Sequence, residues 1–331
     1  MNDVWSSHDH AKTGGGLSVN YTQVGISFGK IFWVTAIILE MPISSWDERP
    51  SPELQRQTTE ALEEGHVLYF PELAFPVSAA EREAFSTSWS DGQTEKVAVE
   101  INNSRLKGAT APSTITDSLE SILWRYAEQT QHLLYQLFPH YQPDLRRART
   151  SFRPVEIVEG APASVAEDNT RLHVDAFHSH PTQGDRILGV FTNVNPEGRE
   201  WEWRIGEPFP DYARRFLPCI RRPWPGEDFL LQRLGIIHGR RSLYDQYMLR
   251  LRDAGKADVD YQTRSPQETF DFPAGSTWLC FTDQVLHADL RGQYLLEQTF
   301  HLPVAAQLWE ENAPLRCLEG LLNQRLASSV P

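Results

Sequence analysis

Residues 171–180 read RLHVDAFHSH. The first seven are rich in β-formers, and along an extended chain successive side chains point to opposite faces. His173 and Asp175 then project to one side, and Leu172, Val174 and Ala176 to the other. A His-x-Asp pair on one strand supplies two ligands of a site built from two histidines and one carboxylate. The third ligand must come from a distant strand. His287 is the candidate, because it lies between two further β-rich runs, STWLCFT (276–282) and QYLLEQTFHL (293–302). His178 and His180 compete. They stand just before the turn Pro181-Thr182-Gln183-Gly184 and would form a local site with His173, although no cysteine accompanies them and structural zinc prefers four closed nitrogen or sulfur ligands. On the residues alone three readings stand: a metal on His173, Asp175 and His287; a site that uses the loop histidines; or a histidine-rich strand end without a metal.

Working outward, more short β-rich runs surround this stretch: SFRPVEIV (151–158), RILGVFTNV (186–194) and EWEWRI (200–205). Glycine, proline and asparagine separate them, which predicts a sandwich or barrel. The fold class is mainly β with α additions, an antiparallel jelly roll. Residues 208–255 read as a helical insert in one connection of the core, which spans 151–303. Residues 36–150 read as an α/β portion ahead of it, with helices over 53–64, 76–85 and 117–139, a strand over 66–70 and a loop over 101–115. Residues 1–35 form an atypical or disordered extension, and 304–331 a C-terminal tail. The apolar run at 31–39 is bounded by Lys30 and Glu40, too short to span a bilayer, and reads as a core strand.

The net charge of −13 argues against nucleic acid as a partner. The charge is unevenly spread, because residues 204–252 hold ten arginines, no lysine and five acids. That basic island suits an anionic ligand or an anionic membrane surface, and equally a solvated helix face. Three widely spaced cysteines, Cys219, Cys280 and Cys317, exclude a disulfide scaffold and fit a reducing compartment.

Several pieces together are more specific than His-x-Asp: RLHVDAF, PTQGDRILGVFTNVNPEG, WRIGEPF, ARRFLP, FPAGSTWLCFTDQVLHA and GQYLLEQTFHLP. Through them residues 38–303 resemble the Kdo hydroxylase family, Fe(II)- and 2-oxoglutarate-dependent dioxygenases acting on 3-deoxy-D-manno-oct-2-ulosonic acid (Kdo) of bacterial lipopolysaccharide. The resemblance implies a double-stranded β-helix of the cupin-like jelly-roll kind. It implies hydroxylation of Kdo at C3, giving Ko, in lipopolysaccharide or Kdo-lipid A, with Fe(II) as metal and with 2-oxoglutarate and O2 as cosubstrates. It assigns the metal to His173, Asp175 and His287. The chain departs from the family pattern at residues 178–181, HSHP in place of Pro-Ser-Arg-Pro, and at Gly189, where an arginine is usual.

The far carboxylate of 2-oxoglutarate calls for a guanidinium. Many enzymes of this superfamily place one about ten residues after the distal histidine, where this chain has Glu297. Arg153 and Arg186 are therefore the expected anchors, with Thr299 as a hydroxyl partner and Arg291 as the alternative. Trp203, Arg204, Arg214 and Arg215, together with Arg221 and Arg222, are expected to meet the anionic acceptor. The expected location is the cytoplasm, with peripheral contact at the cytoplasmic face of the inner membrane. Three rival readings keep the fold: a metal-binding cupin that isomerises or binds sugars, a 2-oxoglutarate-dependent hydroxylase of protein side chains, and a carbohydrate-binding module without activity.

Overall fold

The computed structural model describes residues 38–86, 97–100, 103–107, 112–157, 164–178, 180–224 and 241–327. The expected N-terminal extension and the middle of the helical insert lie outside them.

The chain enters with β1 (Ile38–Glu40), α1 (Pro52–Glu64) and β2 (Val67–Phe70). Helix α1 begins where Ser51 caps the backbone N–H of Leu54 and Pro52 presets the first turn, and it stops at Gly65, whose φ is 93°. Ser78 builds a capping box with Glu81 at the head of the short α2 (Ala79–Arg82). Strands β3 (Val97–Glu100) and β4 (Asn103–Lys107) pair antiparallel, and α3 (Ser113–Leu137) follows. The expected loop over 101–115 is thus corrected: its first half is an edge strand and its end is the first turn of α3. Polar, glycine-containing sequence is compatible with an edge strand, where composition alone gives little signal.

The barrel strands are β5 (Arg146–Arg153), β6 (Arg186–Asn193), β7 (Trp201–Gly206), β8 (Gln267–Phe272), β9 (Thr277–Phe281), β10 (His287–Arg291) and β11 (Leu295–Leu302). Strand β5 starts five residues before the expected run and ends at Arg153, because Pro154 has no N–H to continue the ladder. Helices α4 (Phe209–Phe216), α5 (Leu243–Ala257) and α6 (Val259–Arg264) lie between β7 and β8, and α7 (Pro314–Leu322) closes the chain.

Two sheets result. The larger runs β1-β2-β9-β6-β11-β5-β3-β4, the smaller β10-β7-β8. All barrel pairings are antiparallel, and only β1 and β2 run parallel. The architecture is the jelly-roll type expected, with helices on its outside. Leu119, Leu123, Tyr126 and Leu134 of α3 pack with Leu188, Val190, Leu296 and Phe300 on one face of the large sheet. On the other face Phe191, Trp278 and Leu295 meet Trp201, Trp203 and Phe272 of the small sheet. The insert helices form a third cluster around Leu172, Val174 and Leu286.

Candidate metal centre and active-site cavity

The stretch expected as a strand at 171–177 joins neither sheet. Its one ladder contact is an isolated antiparallel bridge, in which the His173 N–H donates to the His287 carbonyl at 3.0 Å and the His287 N–H returns to the His173 carbonyl at 2.9 Å. Its other edge is covered by a side chain. Gln262 of α6 accepts from the Leu172 N–H at 2.8 Å and donates to the Leu172 carbonyl at 3.0 Å, so one carboxamide takes the place of a neighbouring strand. The Asp175 N–H donates to the carbonyl of Thr282 at 2.8 Å. Alternation survives without a sheet. Leu172 and Val174 are fully buried among the insert helices, while His173 and Asp175 line a cavity between the two sheets.

His173, Asp175 and His287 offer ligand atoms that all lie within 4.8 Å of one another, the only such group among the described residues. The ring tautomers follow from the neighbours. Nδ1 of His173 lies 2.7 Å from the Arg171 carbonyl and Nδ1 of His287 lies 2.9 Å from the Val285 carbonyl. A carbonyl only accepts, so each Nδ1 carries the proton and each Nε2 keeps its lone pair. Burial first, then the charges of Lys256 and His287, holds His173 well below the usual histidine range, so the ring is neutral. Trp203 stacks on His287 at 5.0 Å between centroids, and its indole N–H donates to Asp289 at 2.6 Å. Trp201 donates to the same carboxylate oxygen at 3.2 Å. The donor set, two imidazoles and one carboxylate on one wall of an open cavity, fits Fe(II), and among the described residues no further such ligand joins it from the cavity side.

The cavity has a volume of about 470 Å³. From β5, Arg147 and Arg149 line it; from β11, Leu295, Glu297, Thr299 and His301; from β6, Phe191. Arg149 is exposed and Arg153 is buried, so the guanidiniums on this face of β5 run from mouth to interior. Arg153 stands 3.9 Å from Asp289, a residue of the cavity wall. A Cβ on Gly189 would lie 2.7 Å from the Phe191 ring, so the wall tolerates no side chain at that position without moving the ring.

The expected site residues divide sharply. Thr299 and Trp203 line the cavity. Arg186 does not. It is fully buried and donates to Asp283 at 2.8 Å, to Gln307 at 2.8 Å and to Gln284 at 2.6 Å, with its guanidinium 3.7 Å from the Phe281 ring centroid. Its work is to tie β6 to the β9–β10 turn and the C-terminal segment. Arg204 follows Trp203 on β7 and so faces away from the cavity. Arg214 pairs with Asp211 on α4 and Arg215 with Glu207 just before it, and neither lines the cavity. Arg291 pairs with Glu202 at 3.2 Å. Arg221 and Arg222 are exposed after α4. Of the competing histidines, His180 lines the cavity without joining the metal group, and His178 is exposed, 3.8 Å from Asp253. Sequence reasoning missed Arg147, Arg149, Asn169 and Arg252, all of which line the cavity. The helical insert carried the signal for Arg252, but nothing in it singled out one arginine among ten.

Comparison with known proteins supplies the family context. The model of a 3-deoxy-D-manno-oct-2-ulosonic acid (Kdo) hydroxylase family matches residues 45–325. Three solved structures of the Kdo hydroxylase KdoO, a non-heme Fe(II) α-ketoglutarate-dependent dioxygenase, are similar over 89% of this chain and 98% of theirs. The complex with α-ketoglutarate and Fe(III) shares 49% identity at a TM-score of 0.84. The cobalt(II) complex shares 50% at 0.85, and the apo form 50% at 0.84. No curated protein matches the chain.

Proposed function

The chain belongs to the Kdo hydroxylase family of Fe(II)/2-oxoglutarate-dependent dioxygenases, and from that premise we propose that it hydroxylates Kdo at C3 to give Ko. His173, Asp175 and His287 would hold the iron, with 2-oxoglutarate and O2 as cosubstrates. The observation that carries the reading is the convergence of three ligand atoms within 4.8 Å on the wall of a cavity of about 470 Å³. When bound, the iron and 2-oxoglutarate supply the oxidant, with 2-oxoglutarate decarboxylated to succinate and one oxygen atom of O2 passed to the sugar.

The chain's own residues bind and orient. The Arg171 and Val285 carbonyls keep the two imidazoles in the Nδ1–H tautomer, so that each Nε2 stays a ligand. Asp289 fixes two indoles, and the Trp203 ring holds His287 in place. Arg153 is the proposed partner of the far carboxylate of 2-oxoglutarate, since burial between β5 and β10 strengthens a charge-assisted pair. Thr299 supports it as a hydroxyl donor. Arg149 and His180 would meet the acceptor near the mouth; the Arg147 guanidinium packs over the Trp124 ring of α3 instead. We read 151–303 as the catalytic core and 208–255 as an insert that completes its site.

The acceptor would be Kdo in lipopolysaccharide or Kdo-lipid A, reached from the cytoplasm. No helix among the described residues is long and apolar enough to cross a membrane, and exposed Arg221, Arg222 and Trp224 offer a surface for anionic headgroups. The test is turnover of Kdo-lipid A with Fe(II), 2-oxoglutarate and O2. One oxygen added to Kdo per succinate formed supports the reading, and succinate formed without oxygen transfer to Kdo overturns it. Replacing Arg153 with Ala should raise the 2-oxoglutarate requirement at least about tenfold with metal binding intact; an unchanged requirement removes Arg153 from the role.

A further inference from the structure

Helix α5 carries two cations one turn apart, Arg252 and Lys256, and both reach the turn that precedes the metal-ligand stretch. The Lys256 ammonium, fully buried, donates to the Ala166 carbonyl and to Oδ1 of Asn169, each at 3.1 Å. Arg252 donates to the same carbonyl at 2.8 Å and to Asp253 at 3.1 Å. Asn169 and Arg252 both line the cavity. The Asn169 backbone is held as well, since its carbonyl accepts from the Asp289 N–H at 2.9 Å. This residue therefore sits four positions before His173 and is bonded to the residue two positions after His287.

An ammonium can only donate, so Lys256 commits the oxygen of the Asn169 carboxamide and decides which way it faces. Nδ2, with two hydrogens, is left for the cavity, and it meets no acceptor among the described residues. With the guanidinium of Arg252 beside it, this wall presents donors to an anionic oxygen. A buried lysine is costly, and burial pushes this one down to about 8. Pinning the turn does not require it, because Arg252 already holds Ala166 at the shorter distance. The function left to the ammonium is the orientation of Asn169.

We propose that Asn169 and Arg252 form the subsite for the carboxylate of the acceptor sugar acid, and that Lys256 is a positioning residue that fixes Asn169 as a donor. The inference rests on the sugar-acid acceptor of the preceding section. It assigns the helical insert a part in substrate recognition, and it registers the sugar against both metal-bearing segments at once.

The test is calorimetric binding of free Kdo to the Co(II)- and 2-oxoglutarate-loaded protein without O2, a readout independent of turnover. Asn169→Asp turns a donor into an anion and should weaken Kdo binding by roughly 10- to 100-fold, with 2-oxoglutarate affinity unchanged. Asn169→Ser should weaken it less. Lys256→Met should weaken it in the native background and add little in the Asn169→Ser background, the mark of two residues acting as one. A shift in 2-oxoglutarate affinity in place of Kdo affinity overturns the assignment, because the subsite would then belong to the cosubstrate. Unchanged Kdo binding in Asn169→Asp overturns it outright, and that variant decides the matter even where Lys256→Met does not fold. Kdo that binds in an Asn169-dependent way without being hydroxylated would sustain the subsite and count against the proposed reaction alone.

Discussion

The two faces of the eight-stranded sheet are made from the same strands and behave as different materials. Along β11, Leu296, Phe300 and Leu302 are buried in the core under α3, and Gln298, between them, is satisfied by Thr150 at 2.6 Å. The intervening Leu295, Glu297, Thr299 and His301 line the cavity. Under α3 even the polar groups are closed. Tyr126 makes three contacts of 3.1–3.3 Å, with Val190, Thr192 and Leu296. On the cavity face, acid, hydroxyl, imidazole and guanidinium stand side by side. One face sets where the strands lie and the other uses that position, so damage to each should register in a different measurement.

The largest expected effect is on the cavity side. His287→Ala should lower hydroxylation by about a thousand-fold or more, with the melting temperature of the metal-free protein almost unchanged; a variant that keeps a tenth of the activity would break the assignment. Phe300→Ala, on the sealed face of the large sheet, should do the reverse. It should cost about 3–5 kcal/mol in chemical denaturation while the folded fraction keeps its KM for both substrates.

Arg186→Met sharpens the contrast with Arg153. Removing one partner of a buried pair leaves Asp283 uncompensated, at a cost of about 3 kcal/mol, yet the 2-oxoglutarate requirement should not move. A raised requirement would restore Arg186 to the site.

The smallest effect concerns Glu63, buried at the end of α1. Burial raises its carboxyl, but His140 at 3.9 Å, the Tyr141 hydroxyl at 2.6 Å and the N–H groups of Trp309 and Leu308 at 2.7 and 3.0 Å outweigh it and hold it below the usual value. A carboxylate held low in the folded state stabilises above its unfolded pKa, and that contribution is lost as pH falls through the lowered value. Glu63→Gln should therefore cost about 1–2 kcal/mol at pH 7, and the gap to the native protein should close in strong acid. A gap independent of pH would mean that charge plays no part.

The jelly roll was legible because β-rich runs alternate, and the shared face of His173 and Asp175 because His-x-Asp needs only two-residue periodicity; that His287 joins them was named through the family resemblance, and the structure brings the three side chains together. The second sheet was less so. Residues 267–272, QETFDF, carry two acids and few β-branched side chains, and they form β8 because Trp201 and Trp203 of β7 need a neighbour. Arg186 misled for a definable reason. The run RILGVFTN is buried on both faces, so no hydrophobic pattern tells which parity meets the cavity; the structure gives that face to Phe191. Gln262 and Lys256 were invisible, since each acts from a helix about ninety residues away on a segment it does not resemble.

The carboxamide of Gln262 has a consequence for anyone who would trim or transplant this barrel. The stretch that carries His173 and Asp175 borrows its second edge from α6, so the smallest unit able to hold these two side chains in place is larger than the smallest unit able to close the sheets. A barrel cut back to its strands would keep the topology and leave Leu172, one residue before His173, with an N–H and a carbonyl open to solvent on that side. Excision of the insert would produce a vessel of the right shape in which His173 and Asp175 had lost their alignment.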